Sequence, residues 1–332
     1  MLRIDHITAS YKMLDGDVVA VEDVDLTIRD NEIFGIAGES GCGKSTLLKV
    51  IYDIIEFPLQ IDKGAVHLDG VRDGTPFSCS SGDIRNNWWS HVSYVPQAAM
   101  SVLNPISRLK NQFLDSIPEA DKKRETREQT LKRVTDYLAE LNLSSNVLDA
   151  YPFQLSGGMR QRCIIALATF MDPKPNVVLT DEPTTALDVV VQRGILMLLM
   201  KLQKQYKNTM VLVSHDLGVH YQITDRIAIM YSGRIMEMGK TVDIFNKPRH
   251  PYSMMLIGAL PQVGDKSARV GIPGLPPSLK NPPPGCRFAE RCPKVTDICR
   301  KDTPEYREIS DGHFAACHLL NGGGEVRDER PA

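Results

Sequence analysis

Apolar and polar positions alternate through the first 33 residues, most regularly in VVAVEDVDLTI (18–28), and a period of two predicts half-buried β-strands. GAVHLDG (64–70) and HVSYVP (91–96) show the same pattern. Three further runs, IFGIA (33–37), VVLT (177–180) and MVLVS (210–214), are short and continuously apolar, as in strands buried on both faces. Between 91 and 177 the period changes. In REQTLKRVTDYLAELNL (127–143), Leu131, Val134, Leu138 and Leu141 fall on one face of a helix, and Met159, Ile164, Leu167 and Phe170 mark a second. Buried strands interleaved with helices predict an α/β core with a further β-strand region at its start and an inserted helical subdomain over about 98–170. After residue 245 RHPYSMMLIGALP gives way to IPGLPPSLKNPPPGC, a proline-dense connector that can be neither regular helix nor internal strand. The expected division is therefore a core of 1–245 and an extension of 246–332.

Composition narrows the classes. The formal net charge is −2 over 332 residues, without the basic excess of a nucleic-acid binder. No run of eighteen apolar residues occurs, and MLRIDHITASYK lacks the pattern of a signal peptide. A cytosolic setting is expected, in which thiols stay reduced. Four of the seven cysteines, Cys286, Cys292, Cys299 and Cys317, fall in the extension, so disulfides there are disfavoured and a metal site is the leading reading. Their separations of five, six and seventeen residues lack the two-to-four-residue spacing of paired zinc ligands; four thiolates suit an iron–sulfur cluster, with zinc as the alternative.

The turn after the first buried strand reads GESGCGKST. Gly38, Gly43, Lys44 and Ser45 satisfy the P-loop pattern. Glycines at 38, 41 and 43, with Ser40 and Cys42 between them, let backbone N–H groups line a phosphate. The helix beginning near Lys44 directs its positive end there, and Lys44, Ser45 and Thr46 add side-chain contacts. A chance glycine-rich turn is the bland reading, and the flanking strand and helix argue against it. VVLTDEP ends a buried strand in two carboxylates. Asp181 suits a Mg²⁺ shell and Glu182 a general base for the attacking water, where solvated acids are the alternative.

QLSGGMRQR (154–162) resembles the signature motif of ATP-binding cassette (ABC) proteins. Ser156 can cap its helix, leaving the N–H groups of Gly157 and Gly158 outward. The resemblance implies a P-loop core with an antiparallel β subdomain beside it, and that these N–H groups meet ATP held by a second cassette, head to tail. It also implies a Q-loop glutamine at Gln97 that touches Mg²⁺ together with Ser45 and Asp181, a D-loop of Ala186, Leu187 and Asp188, a switch histidine at His215, and adenine stacking on Tyr11. Cys163 reads as core. Cys42 reads as a tolerated small residue that could also report nucleotide occupancy chemically. The loop 75–83 with Cys79, and Trp88 and Trp89, suggest no role, and Lys122 to Arg124 read as a solvated face.

RHPYSMMLIGALP, PPSL to RCP and the cysteines resemble the C-terminal extension of ATPase subunits of oligopeptide and dipeptide importers. What that resemblance implies is a [4Fe-4S] cluster on the four cysteines. Arg287, Arg291, Lys294, Arg300 and Lys301 are expected to balance its charge, and His313 and His318 are candidate substitute ligands. With little apolar material of its own, the extension is expected to be stapled by the metal, and ATP binding to be independent of it. The implied protein is an ATP-hydrolysing subunit on the cytoplasmic face of the membrane. Its partners are a second cassette, commonly a paralogue, two permease subunits and, indirectly, an extracytoplasmic solute-binding protein; its cargo is peptide, oligosaccharide or nickel. A soluble ABC ATPase of translation or DNA repair and a non-hydrolysing ATP-binding module are the competing classes. The single cassette disfavours the first and Glu182 the second.

Overall fold

The computed structural model describes residues 1–68, 88, 91–97, 102–118, 122, 125–260 and 271–320. Its strands, numbered along the chain, are β1 (Leu2–Tyr11), β2 (Val18–Ile28), β3 (Ile33–Ala37), β4 (Leu59–Leu68), β5 (Val92–Val95), β6 (Val177–Asp181), β7 (Thr209–Ser214), β8 (Arg226–Tyr231), β9 (Arg234–Lys240), β10 (Arg307–Ser310) and β11 (His313–Ala315). The chain forms two compact units, one of Met1–Asp83 with Leu212–Ala332, the other Ile84–Val211.

In the first unit β2, β1 and β4 make the expected antiparallel sheet, with Leu2 opposite both Ile28 and Leu68. Leu2, Ile4, Ile7 and Ala9 are buried. β4 begins at Leu59, five residues before the apolar alternation becomes visible in sequence. The polar Gln60, Asp62 and Lys63 hide that start, yet Gln60 pairs with Ser10 and Lys63 with Thr8. The unit's second sheet runs β10-β11-β9-β8-β3. β3 and β8 are parallel, Phe34 opposite Arg226 and Ala37 opposite Ile229. All five residues of β3 are buried, which explains its unbroken apolar run. β8 turns back into β9 through Ser232 and Gly233, both at positive φ, the geometry of a tight hairpin.

The extension differs from the loop-rich appendage expected. β11 adds to the edge of β9, Phe314 opposite Met238, and β10 adds to β11. Phe288 is fully buried against Tyr231 and Tyr252, with ring centroids 5.3 and 5.2 Å away, in one apolar cluster with Ala37, Ile229 and Met236. The extension is short of apolar residues because it shares the core beside β8. Helix Pro251–Gly258 supplies Tyr252, and His250 caps it by accepting from the Tyr252 N–H.

In the second unit β5 and β6 are parallel, Val92 opposite Val177, and the Thr209 N–H at the start of β7 donates to the Asn176 carbonyl. Helix Arg127–Glu140 carries a reciprocal Thr126/Gln129 capping box and buries Val134 and Leu138. Leu141 is buried at its C-cap and Leu131 is half-buried. Helix Gly157–Thr169 is buried over most of its circumference, with Cys163 in the core as expected and its thiol pushed up to about 12 by burial. Trp88 makes an isolated bridge to Val92. Cys79, Trp89, Lys123 and Arg124 lie outside the described residues.

Candidate active site

β3 delivers the chain into the glycine-rich loop. Gly43 has φ +108°, and a Cβ there would lie 2.1 Å from the Ala20 carbonyl oxygen, so the turn into helix Lys44–Ile51 requires glycine. Lys44 is buried and folds back over its own loop, donating from Nζ to the carbonyls of Gly38 (2.8 Å) and Glu39 (2.9 Å) and lying 3.7 Å from Cys42 Sγ. A loop with its cation held inward on backbone carbonyls is built to receive an anion. Thr46, buried one residue after Ser45, shares a 3.0 Å hydrogen bond with the Tyr11 hydroxyl, which fixes that ring beside the helix's first turn. Cys42 is 4% exposed, and burial raises its thiol. His215 follows β7 in the same unit and is exposed.

The remaining motif residues lie in the second unit. β6 ends at Asp181, 2% exposed, whose Oδ2 accepts from the Tyr94 hydroxyl at 3.1 Å. Glu182 follows in the left-handed region at φ +49°, with Oε2 accepting from Thr185 Oγ1 at 2.7 Å. A non-glycine residue in that region is uncommon and carries backbone strain. Gln97, two residues past β5, is exposed. Ser156 caps helix Gly157–Thr169, accepting from the Met159 N–H at 3.3 Å, as expected. A Cβ on Gly158 would meet Val191 Cγ1 at 2.6 Å, so the signature glycine allows the close approach of helix Val189–Tyr206. Asp188 caps that helix by accepting from the Val191 N–H at 2.9 Å. Beside it Val189 and Val190 are 80% and 82% exposed, an apolar step next to the signature motif.

In the extension Cys286, Cys299 and Cys317 are buried and Cys292 is half-buried. The Cys286 N–H donates to the Cys299 carbonyl at 2.8 Å, closing two of the cysteine loops on each other. Burial pushes the Cys286 thiol up to about 11 and that of Cys317 up to about 12, and Cys317 lies within electrostatic range of the other three. Among the described residues no three cysteine, histidine or acidic side chains converge closely enough to hold a single ion. Four thiols are a donor set that soft metals favour. The expected charge partners are placed otherwise. Arg287 pairs with Glu22 and Arg291 with Glu39, while at Cys292 burial raises the thiol and the Lys294 charge opposes that rise. His313 is bonded to Glu237 Oε1 (2.7 Å) and His318 to the Asp302 carbonyl (2.9 Å).

Sequence reading missed Glu39, Tyr94 and Tyr252, and gave Arg291 the cysteines rather than Glu39 as its partner. Tyr252 and Arg291 sit inside the HPYS and RCP stretches that carry the family likeness, a signal without a stated physical role.

A P-loop with its lysine buried after a parallel strand, and an acidic pair closing another, define a nucleoside-triphosphatase. The comparisons refine that class. A family described as ABC transporter matches residues 21–185, and one described as oligopeptide/dipeptide transporter, C-terminal region, matches 236–299. The dipeptide transport ATP-binding protein DppD of Caldanaerobacter subterraneus subsp. tengcongensis is 36% identical over 98% of this chain and 99% of its own. The oligopeptide transport ATP-binding protein OppD of Salmonella typhimurium is 34% identical over 96% of this chain and 93% of its own. Among solved structures, a dimeric ATP-binding cassette in a post-hydrolysis state with ADP and phosphate aligns at TM-score 0.62 and 28% identity, covering 73% of this chain and 99% of that one. This chain belongs to the ATP-binding subunits of the dipeptide and oligopeptide ABC transporters. It is an ABC ATPase. No helix of the described residues is long and apolar enough to cross a membrane.

Proposed function

We propose that this chain hydrolyses ATP to drive peptide import through two permease subunits, from the cytoplasmic face of the membrane. The observation that carries the reading is the reach of the family likeness, which extends through the extension as well as the cassette. A second cassette, a paralogue in the arrangement we favour, would meet the surface around Ser156, Gly157, Gly158, Val189 and Val190. An extracytoplasmic binding protein would select the solute.

Gly38, Ser40, Gly41, Cys42 and Gly43 cradle the phosphates through backbone N–H groups, while Lys44 turns from its carbonyls toward the β- and γ-phosphate oxygens. Ser45, Asp181 and Gln97 would hold Mg²⁺, whose charge offsets that of the phosphates. Glu182, set by its turn, accepts the proton of the attacking water, and His215 contacts the γ-phosphate. Tyr11 stacks on adenine. Ser156 to Gly158 and Asp188 serve the nucleotide on the partner cassette. Cys286, Cys292, Cys299 and Cys317 would hold a [4Fe-4S] cluster, or zinc as the alternative, supplying a cross-link among short loops.

Glu182→Gln tests the catalytic core of this reading. ATP binding should persist while turnover falls by roughly 10²- to 10⁴-fold, with the ATP-bound dimer accumulating. Hydrolysis near the wild-type rate in the assembled complex would remove Glu182 from its role.

A further inference from the structure

Glu39 stands directly after Gly38, on the loop assigned to the triphosphate, and adds a negative charge where negative charge is to be bound. The extension holds this residue at both ends. Its backbone N–H donates to the Tyr252 hydroxyl at 3.1 Å. Its carboxylate accepts a two-pronged contact from Arg291, Nη1 to Oε2 at 2.7 Å and Nη2 to Oε1 at 2.9 Å. The Arg291 side chain is 5% exposed, and it donates as well to the Tyr231 hydroxyl (3.1 Å) and to the carbonyls of Pro273 (2.9 Å) and Ile272 (3.1 Å). All five N–H groups of the guanidinium are thus used, which fixes its plane and position. A second contact lies at the other flank, where the Leu279 carbonyl accepts from the Val19 N–H and Lys280 pairs with Asp15, beyond Tyr11.

We infer that Arg291 is a positioning residue for nucleotide binding: it neutralises and pins Glu39, so that the P-loop is electrostatically ready for ATP only while the extension is docked. Arg291 immediately precedes Cys292, so the loop that carries a cysteine of the proposed metal site also carries the P-loop's counter-charge. The HPYS and RCP stretches thereby gain one shared task, since each sends a side chain to Glu39. The inference rests on Gly38–Ser45 being the nucleotide site.

The test measures Mg-ATP affinity of the full chain by equilibrium binding, with KM and kcat of the assembled complex, for wild type, Arg291→Met, Glu39→Gln and the double variant. Opposing charges in contact shift a charged equilibrium by about ten- to a thousandfold, and Glu39's partial exposure sets the low end. Arg291→Met should therefore raise Kd and KM about tenfold while kcat at saturation changes little. Adding Glu39→Gln should recover most of the loss, because the unpaired carboxylate that repels the phosphates is gone. That recovery separates charge from any loosening of the cysteine loops, which a glutamine at 39 cannot repair. Where Arg291→Met fails to fold, Arg291→Lys retains the charge without the fork and should give an intermediate Kd. A folded Arg291→Met or Arg291→Lys with wild-type Kd, or a double variant as weak as the single, overturns the inference. Absence of ATP binding in the wild type would overturn the P-loop assignment itself.

Discussion

Phe288→Ala separates a shared core from an appended one. The ring is fully buried, 5.3 Å from Tyr231 and 5.2 Å from Tyr252, and those two rings lie 4.6 Å apart, Tyr252 bonded to Glu39 and Tyr231 to Arg291. Removing a buried phenyl costs about 3–5 kcal/mol, and losing edge-to-face contacts places this site in the upper half of that range, near 4 kcal/mol. For a cooperative unit of roughly 200 residues each kcal/mol lowers Tm by about 2–4 °C, so a fall of ~10 °C is expected. Thermal unfolding supplies the magnitude, and amide hydrogen exchange supplies the location. Exchange should rise together in Glu39–Thr46, Pro251–Gly258 and 286–301, since one cluster supports all three. Faster exchange confined to residues beyond 271, with an unchanged P-loop, would refute the shared core and return the extension to the status of a separable appendage.

Two further outcomes follow from the same unit. Burial pulls His250 down to about 4 from its ordinary 6.5, so the unfolded chain takes up the proton first on acidification. Stability should fall as pH drops from 6.5 towards 4, by up to about 1.4 kcal/mol per pH unit, and His250→Asn should flatten that slope; a Tm profile unchanged by the substitution contradicts the assignment. Protein purified without oxygen should carry about four irons per chain, lost with Cys286→Ser. Stoichiometric zinc would select the alternative, and four freely alkylated thiols would reject a metal.

The motifs of the cassette were legible because each is local: a strand, a turn and a helix within some twenty residues fix where Lys44 or Ser156 points. The same holds for the capping box at Thr126 and the buried run of β3. What stayed hidden is pairing across the chain. Arg291 and Glu39 are 252 residues apart, and no period or spacing in either segment announces the other. Arg287 and Arg291 read as a cluster's counter-charges because their sequence neighbours are cysteines; the fold turns them to Glu22 and Glu39 instead. β11 was unreadable for a related reason. A strand of three residues carries too little pattern to read, and its place is set by pairing with β9, far away in sequence. The four cysteines of the extension stand between these cases, plain in sequence, with Cys317 brought within electrostatic range of the other three by the fold.

The proposed function couples ATP turnover to peptide movement. It is tested most directly by reconstituting the chain with its permease and cassette partners in sealed vesicles and measuring hydrolysis with and without peptide-loaded binding protein. The peptide-loaded binding protein should stimulate hydrolysis severalfold, with peptide accumulating inside, and Glu182→Gln should abolish both. Hydrolysis indifferent to peptide and binding protein, with no peptide uptake, would contradict it.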